Sequence, residues 1–215
     1  MTKIILSLET KESIDNFAYL GKYVDGIKIN HLLWNEVDFV VEDGKELFVD
    51  FKLWDTPNTV KTVVESIIKK GGTMTTISTF NNESVFDELV QYKDDIKLLA
   101  VTYLTSWNSD EQYQICREMS DFMWRRHLSR VKGFYGVVCS ALDIGMLSGA
   151  DESLKRVCPG IALPIKRGVP SGQVRVTTPK EAKELGADYI VIGRTVTESK
   201  DPIGIIKDIR KQLAP

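Results

Sequence analysis

Apolar positions along the chain follow two alternating rhythms. Short runs rich in Val, Ile, Leu and Thr occur as IILSLE (4–9), GIKIN (26–30), LFVDFKL (47–53) and TMTTIS (73–78). They continue as KLLAVTYL (97–104), GFYGVVCS (133–140), RVCPGIAL (156–163) and YIVIGRTV (189–196). Several are apolar throughout, as parallel strands covered on both faces should be. The intervening segments carry a helical period: Val60, Val63, Val64, Ile67 and Ile68 share one face, and Gly71-Gly72 closes that helix. TPKEAKELG predicts a helix with Thr178 as N-cap, Pro179 at its first position, Glu181 completing a capping box and Gly186 at the stop. SDEQ (109–112) predicts a second capping box before the longest helix, and Asp201-Pro202 starts the last one.

Eight strand–helix units without a linker, low-complexity tract or composition break predict one domain over residues 1–215, a (β/α)8 barrel. A doubly wound open sheet is the structural alternative. In a barrel the chemistry belongs at the C-terminal strand ends. The polar residues predicted there are Glu9, Lys28, Asp50, Lys52, Asp55, Ser106 and Arg194. Strand alternation turns Asp50 and Lys52 to one side and Val49 and Phe51 to the other. Buried charges of this kind are tolerable when they neutralise and hydrogen-bond one another. The bland reading is a salt-bridge network bracing the barrel end; the sharp one is a charged cluster that does chemistry. A second constellation follows strand seven, where GVPSGQVRVTTP (168–179) is Gly-rich and polar and Gly193-Arg194 ends strand eight. Barrels often hold phosphate at those two loops, and Arg194 offers a forked, permanently charged donor set.

Composition narrows the function classes. A net charge of −2 supplies no basic field for nucleic acid, and the Lys/Arg group in MWRRHLSR (123–130) reads as a solvated helix face. MTKIILSLET lacks an apolar signal core, and no run reaches membrane-spanning length, so a cytoplasmic protein without membrane attachment is expected. Cys116, Cys139 and Cys158 are odd in number and widely spaced, which predicts reduced, mostly buried thiols. Two histidines rule out a His-rich metal centre, and no pyridoxal-phosphate or thiamine motif is present, so neither metal nor organic cofactor is expected.

Taken together, these residues resemble the orotidine 5′-monophosphate decarboxylase family, in its bacterial-type branch. DFKLWDTPNT (50–59) is similar to the family's Asp-x-Lys-x-x-Asp signature, and GIKIN, AVTYLTS (100–106), GVVCSA (136–141) and GADYIVIGR (186–194) resemble further family segments in the right order. The resemblance implies cofactor-independent decarboxylation of orotidine 5′-monophosphate to UMP. It implies a catalytic tetrad of Lys28, Asp50, Lys52 and Asp55, with Lys52 protonating the pyrimidine C6. Glu9 would bind ribose, Thr105 and Ser106 the pyrimidine, and Gln173, Gly193 and Arg194 the phosphate. Asp55 and Thr59 would act across a homodimer interface.

The chain departs from the family pattern at four places. Glu9 stands where the family has Asp, Thr56 where it has Ile or Val, Ser78 where it has His, and Ala162 where bacterial-type members carry Arg, with Lys166 or Arg167 as substitutes. Two rivals stay open. One is a metal-dependent lyase resembling 3-keto-gulonate-phosphate decarboxylase, which typically carries Glu at the position of Lys28. The other is a pyrimidine-nucleotide-binding barrel without catalysis.

Overall fold

The computed structural model describes residues 1–35, 44–116, 125–131, 133–147, 152–163 and 176–214. Eight strands among them run β1 (Lys3–Ser7), β2 (Gly26–Ile29), β3 (Glu46–Leu53), β4 (Met74–Ser78), β5 (Lys97–Val101), β6 (Gly136–Val138), β7 (Lys155–Cys158) and β8 (Tyr189–Ile192). They pair in sequence order and close, with every ladder parallel. The closing ladder runs from Lys3 opposite Tyr189 to Leu6 opposite Ile192, which removes the open-sheet alternative. The described α-helices include α1 (Lys11–Phe17), α2 (Pro57–Lys69), α3 (Glu83–Leu89), α4 (Ser109–Cys116), α5 (Pro179–Glu184), α6 (Arg194–Thr197) and α7 (Pro202–Leu213), and residues 125–128 are helical as well.

Strand alternation sorts the core into two compartments. Ile5, Phe48, Met74, Leu99, Val157, Tyr189 and Val191 fill the barrel interior. Their neighbours in sequence, such as Ile4, Leu47, Val49, Leu98 and Ile190, face outward and pack with Val60, Val64 and Ile67 of α2 and Ile206 and Ile209 of α7. Each fully buried Val, Leu or Ile contributes roughly 1.5–3 kcal/mol relative to exposure. Backbones approach closely at two inward positions that take no side chain. A Cβ on Gly26 would lie 2.6 Å from the Glu46 carbonyl oxygen, and one on Gly136 2.3 Å from that of Lys155.

The helix boundaries follow their punctuation. The end of α2 is a Schellman motif: Gly71 has φ +82°, its N–H donates to the Ile68 carbonyl, and the Gly72 N–H donates to that of Ile67. On α5 the Thr178 hydroxyl accepts from the Glu181 N–H and the Glu181 carboxylate accepts from the Thr178 N–H. Asp201 caps α7 by accepting from the Gly204 N–H. Two expectations need correction. The box at α4 lies one residue earlier than predicted: Asn108 and Glu111 exchange the side-chain-to-N–H bonds, at 3.0 and 2.8 Å. The predicted eighth strand also overran, because Arg194–Thr197 is the short helix α6 and not strand.

Candidate active site

The C-terminal ends of the strands open into a cavity of about 550 Å³. That volume suits a small organic ligand. Ser7 and Glu9 at the end of β1, Lys28 of β2, Asp50 and Lys52 of β3, Thr105 and Ser106 after β5, and Gly193 and Arg194 after β8 all line it. All but Ser7 were candidates in the sequence, and the structure brings them into one space. Asp50 is the hub. Its Oδ2 lies 2.9 Å from Lys52 Nζ and 3.4 Å from Lys28 Nζ. Lys28 also reaches Glu9 Oε1 at 3.8 Å, and Ser7 Oγ donates to that same oxygen.

Burial by itself would raise the Asp50 carboxyl. Lys28 and Lys52, together with hydrogen bonds from Lys52 and Thr76, outweigh that effect and hold it below its ordinary value. The two lysines differ in access. The Lys28 side chain is 11% exposed and the Lys52 side chain 43%, so Lys52 is the more accessible of the two ammonium groups.

The backbone under this cluster is irregular. The β3–β4 register runs Val49 opposite Thr75 and then Leu53 opposite Ile77, so Asp50, Phe51 and Lys52 face the single residue Thr76. Two extra residues preserve the inward phase of Asp50 and Lys52, because side chains alternate with period two. Lys52 takes φ +50°, the left-handed region that an L side chain enters at a cost of about 1–2 kcal/mol.

Asp55 is not gathered with the other three charges. It is exposed, lies outside the cavity lining, and accepts from the Thr56 N–H at 2.6 Å. Hydrogen bonds from the Thr56 backbone and the Thr59 side chain lower its carboxyl pKa. Thr59 is exposed beside it, with its hydroxyl 3.0 Å from that of Thr56. Asn81, buried in the β4–α3 loop, holds this turn: its amide donates to the Leu53 and Ser78 carbonyls at 2.8 Å, and its Oδ1 accepts from the Asp55 N–H at 3.2 Å. Arg130 braces Asn81 in turn through the Asn81 carbonyl.

Of the remaining positions, Ala162 lines the cavity, while Gln173, Lys166 and Arg167 lie outside the described residues. Sequence reasoning missed Thr76 and Asn81. A buried Thr on the inward phase of β4 was the available signal for the first; nothing local marked the second. Among the described residues no group of three or more His, Cys, Asp and Glu side chains could hold a metal ion. No described helix is long and apolar enough to cross a membrane.

Fold and site together define the class, a (β/α)8 barrel with its charged chemistry gathered at the C-terminal mouth. Residues 3–209 match the family model described as Orotidine 5′-phosphate decarboxylase / HUMPS family, and the chain belongs to that family. It is similar to the orotidine 5′-phosphate decarboxylase of Dictyoglomus turgidum, with 33% identity covering 95% of this chain and 91% of that protein. It is likewise 34% identical to the Aquifex aeolicus protein of the same name, over 93% of this chain and 90% of the relative. The crystal structure of orotidine 5′-phosphate decarboxylase from Lactobacillus acidophilus superposes with a TM-score of 0.73 at 26% identity, covering 100% of both chains.

Proposed function

We propose that the chain decarboxylates orotidine 5′-monophosphate to UMP in pyrimidine nucleotide formation, with Lys52 as the proton donor. The bond between C6 and the carboxylate breaks, its electron pair stays on C6, and carbon dioxide leaves. Lys52 Nζ then gives its proton to C6 and recovers one from solvent. The carbanion formed has no adjacent carbonyl or imine to delocalise it fully, so its stabilisation is electrostatic, from an ammonium already aimed at the site.

The observation that carries this reading is the asymmetry around Asp50. One carboxylate holds two ammonium groups, and only Lys52 is well exposed to the cavity. Such anchoring fixes the donor before the charge develops and spares reorganisation during the reaction. Lys28 completes the network on the ribose side, where Glu9 would meet a hydroxyl. Thr105 and Ser106 would contact the pyrimidine, and Gly193 and Arg194, with Gln173, the phosphate. Remote phosphate binding would support the distant chemistry.

Asp55 and Thr59 would serve the neighbouring subunit of a homodimer. Their outward placement supports this reading, as does Trp54 beside them, 71% exposed and available to a partner surface. The decisive test is an ultraviolet assay of orotidine 5′-monophosphate with excess chelator. Loss of orotate absorbance with formation of UMP is expected. Folded protein that binds UMP without turnover, or that turns over only with added metal, would overturn the proposal in favour of a binding barrel or a metal-dependent lyase.

A further inference from the structure

We propose that Thr76, on the strand next to the one that carries the chemistry, is the positioning residue that sets Asp50 and Lys52 relative to one another. The proposal rests on the reading of Lys52 as proton donor. Thr76 is fully buried and does not line the cavity, so it acts through its neighbours and not on a ligand. It is the one β4 residue opposite Asp50, Phe51 and Lys52, where the regular ladder is interrupted. Its hydroxyl replaces the missing ladder. The Lys52 N–H donates to Thr76 Oγ1 at 2.8 Å, and Thr76 Oγ1 donates to Asp50 Oδ1 at 2.8 Å.

The direction of these bonds is forced. A backbone N–H can only donate, so it occupies a lone pair of the hydroxyl. The hydroxyl has one hydrogen, and the carboxylate Oδ1 beside it can only accept. One side chain therefore fixes the left-handed backbone of Lys52 and one oxygen of Asp50 together. The other oxygen, Oδ2, is left to the two ammonium groups of Lys28 and Lys52. Thr75 supplies a built-in comparison. Its hydroxyl sits on the outward phase at the last regular pair before the interruption and donates to the Val49 carbonyl at 2.9 Å, a bond that involves neither Asp50 nor Lys52.

The test compares Thr76→Val, Thr76→Ser and Thr75→Val. Valine keeps the shape and removes the hydroxyl. Thr76→Val should lower kcat by roughly 10–100-fold while KM and UMP affinity stay within about threefold, because ligand contacts remain and alignment is lost. Thr76→Ser should restore most of kcat, and Thr75→Val should stay near wild type. A second readout is independent of turnover: the Asp50 carboxyl titrated by carbon-13 NMR. Lys28 and Lys52 face that carboxyl, and Glu9 faces it through Lys28. Loss of the Thr76 donor should move its midpoint upward in Thr76→Val but not in Thr75→Val. Equal kcat in the two valine variants, or an unmoved Asp50 midpoint, would overturn the proposal. Absence of turnover in the wild type would instead overturn the decarboxylase reading, and the Asp50 titration would still decide the role of Thr76.

Discussion

Strand β3 carries the same charge pattern at both ends, and the two ends do different things. At its C-terminal end Lys28, Asp50 and Lys52 form a chain; at its N-terminal end Glu46 pairs with Lys97 and lies 3.9 Å from Lys3. Phe48, between them, belongs to the barrel interior. The lower cluster buries its carboxylate but not its lysines, the Lys3 and Lys97 side chains being 47% and 33% exposed. The Glu46 side chain is 5% exposed and accepts from the Thr73 hydroxyl, and Lys3 and Lys97 lie over the rings of Tyr189 and Tyr135. Those two tyrosines join hydroxyls at 2.7 Å, and burial, helped by that bond, pushes the Tyr189 phenol well up. The upper cluster instead faces a cavity and sits on an interrupted ladder. Reachable paired charge therefore does not mark a site, since the Lys3 side chain is 47% exposed and that of Lys52 43%; paired charge lining a cavity, on backbone under strain, does.

The comparison can be broken most directly by removing one lysine from each end. Lys52→Ala should cut turnover by roughly 10³-fold or more while UMP affinity, measured calorimetrically, changes little. Lys97→Ala should leave kcat per folded molecule near wild type. Comparable losses of kcat from both would erase the distinction between the ends.

Next comes a mixing experiment. Lys52→Ala and Asp55→Ala homodimers should each be nearly inactive. If Asp55 serves its partner's site, a mixed dimer contains one site with both residues intact, and an equimolar mixture should recover about a quarter of wild-type activity. No recovery after verified subunit exchange would place Asp55 in its own subunit's chemistry.

A smaller effect tests the N-terminal end. Glu46→Gln should lower stability by about 1–3 kcal/mol in urea titrations, since it leaves Lys97 without its carboxylate, and should spare kcat. The subtlest test is pH. Asp50 has a folded pKa below its ordinary 3.8, so its contribution to stability is fully present above that value and is lost as pH falls further. The stability difference between wild type and Asp50→Asn should stay flat above about pH 5 and shrink only below pH 3.8.

The architecture was legible because apolar runs and helix punctuation agree along the chain. Schellman glycines, the Thr178 box and the Asp201 cap all sit where their letters placed them. The errors lie where a residue's type suits two roles. Val196 and Thr195 look like strand yet belong to α6, because the chain turns at Gly193. Asn108 and Ser109 are both good N-caps, and the side-chain geometry chose Asn108.

At the site, Lys28, Asp50 and Lys52 were found because charges on the inward phase of apolar strands are conspicuous. Asp55, three residues beyond Lys52, could not be separated from them by pattern, since its direction depends on how the turn enters α2 at Pro57. Thr76 was hidden for the opposite reason. A β-branched residue in a strand needs no explanation, and only the interrupted register reveals what its hydroxyl does.

The closing ladder between β1 and β8 has a consequence for how the molecule comes into being. Lys28, Asp50, Lys52 and Thr76 come from three consecutive strands, so pairing β2, β3 and β4 is enough to bring the charged cluster together. The wall with Gly193 and Arg194 follows β8, whose pairing with β1 joins opposite ends of the sequence, as in Lys3 opposite Tyr189. Contacts so distant along the chain are slow to form. During synthesis every strand of the charged floor is thus made well before β8, and the vessel above it can be completed only by the last strand to arrive.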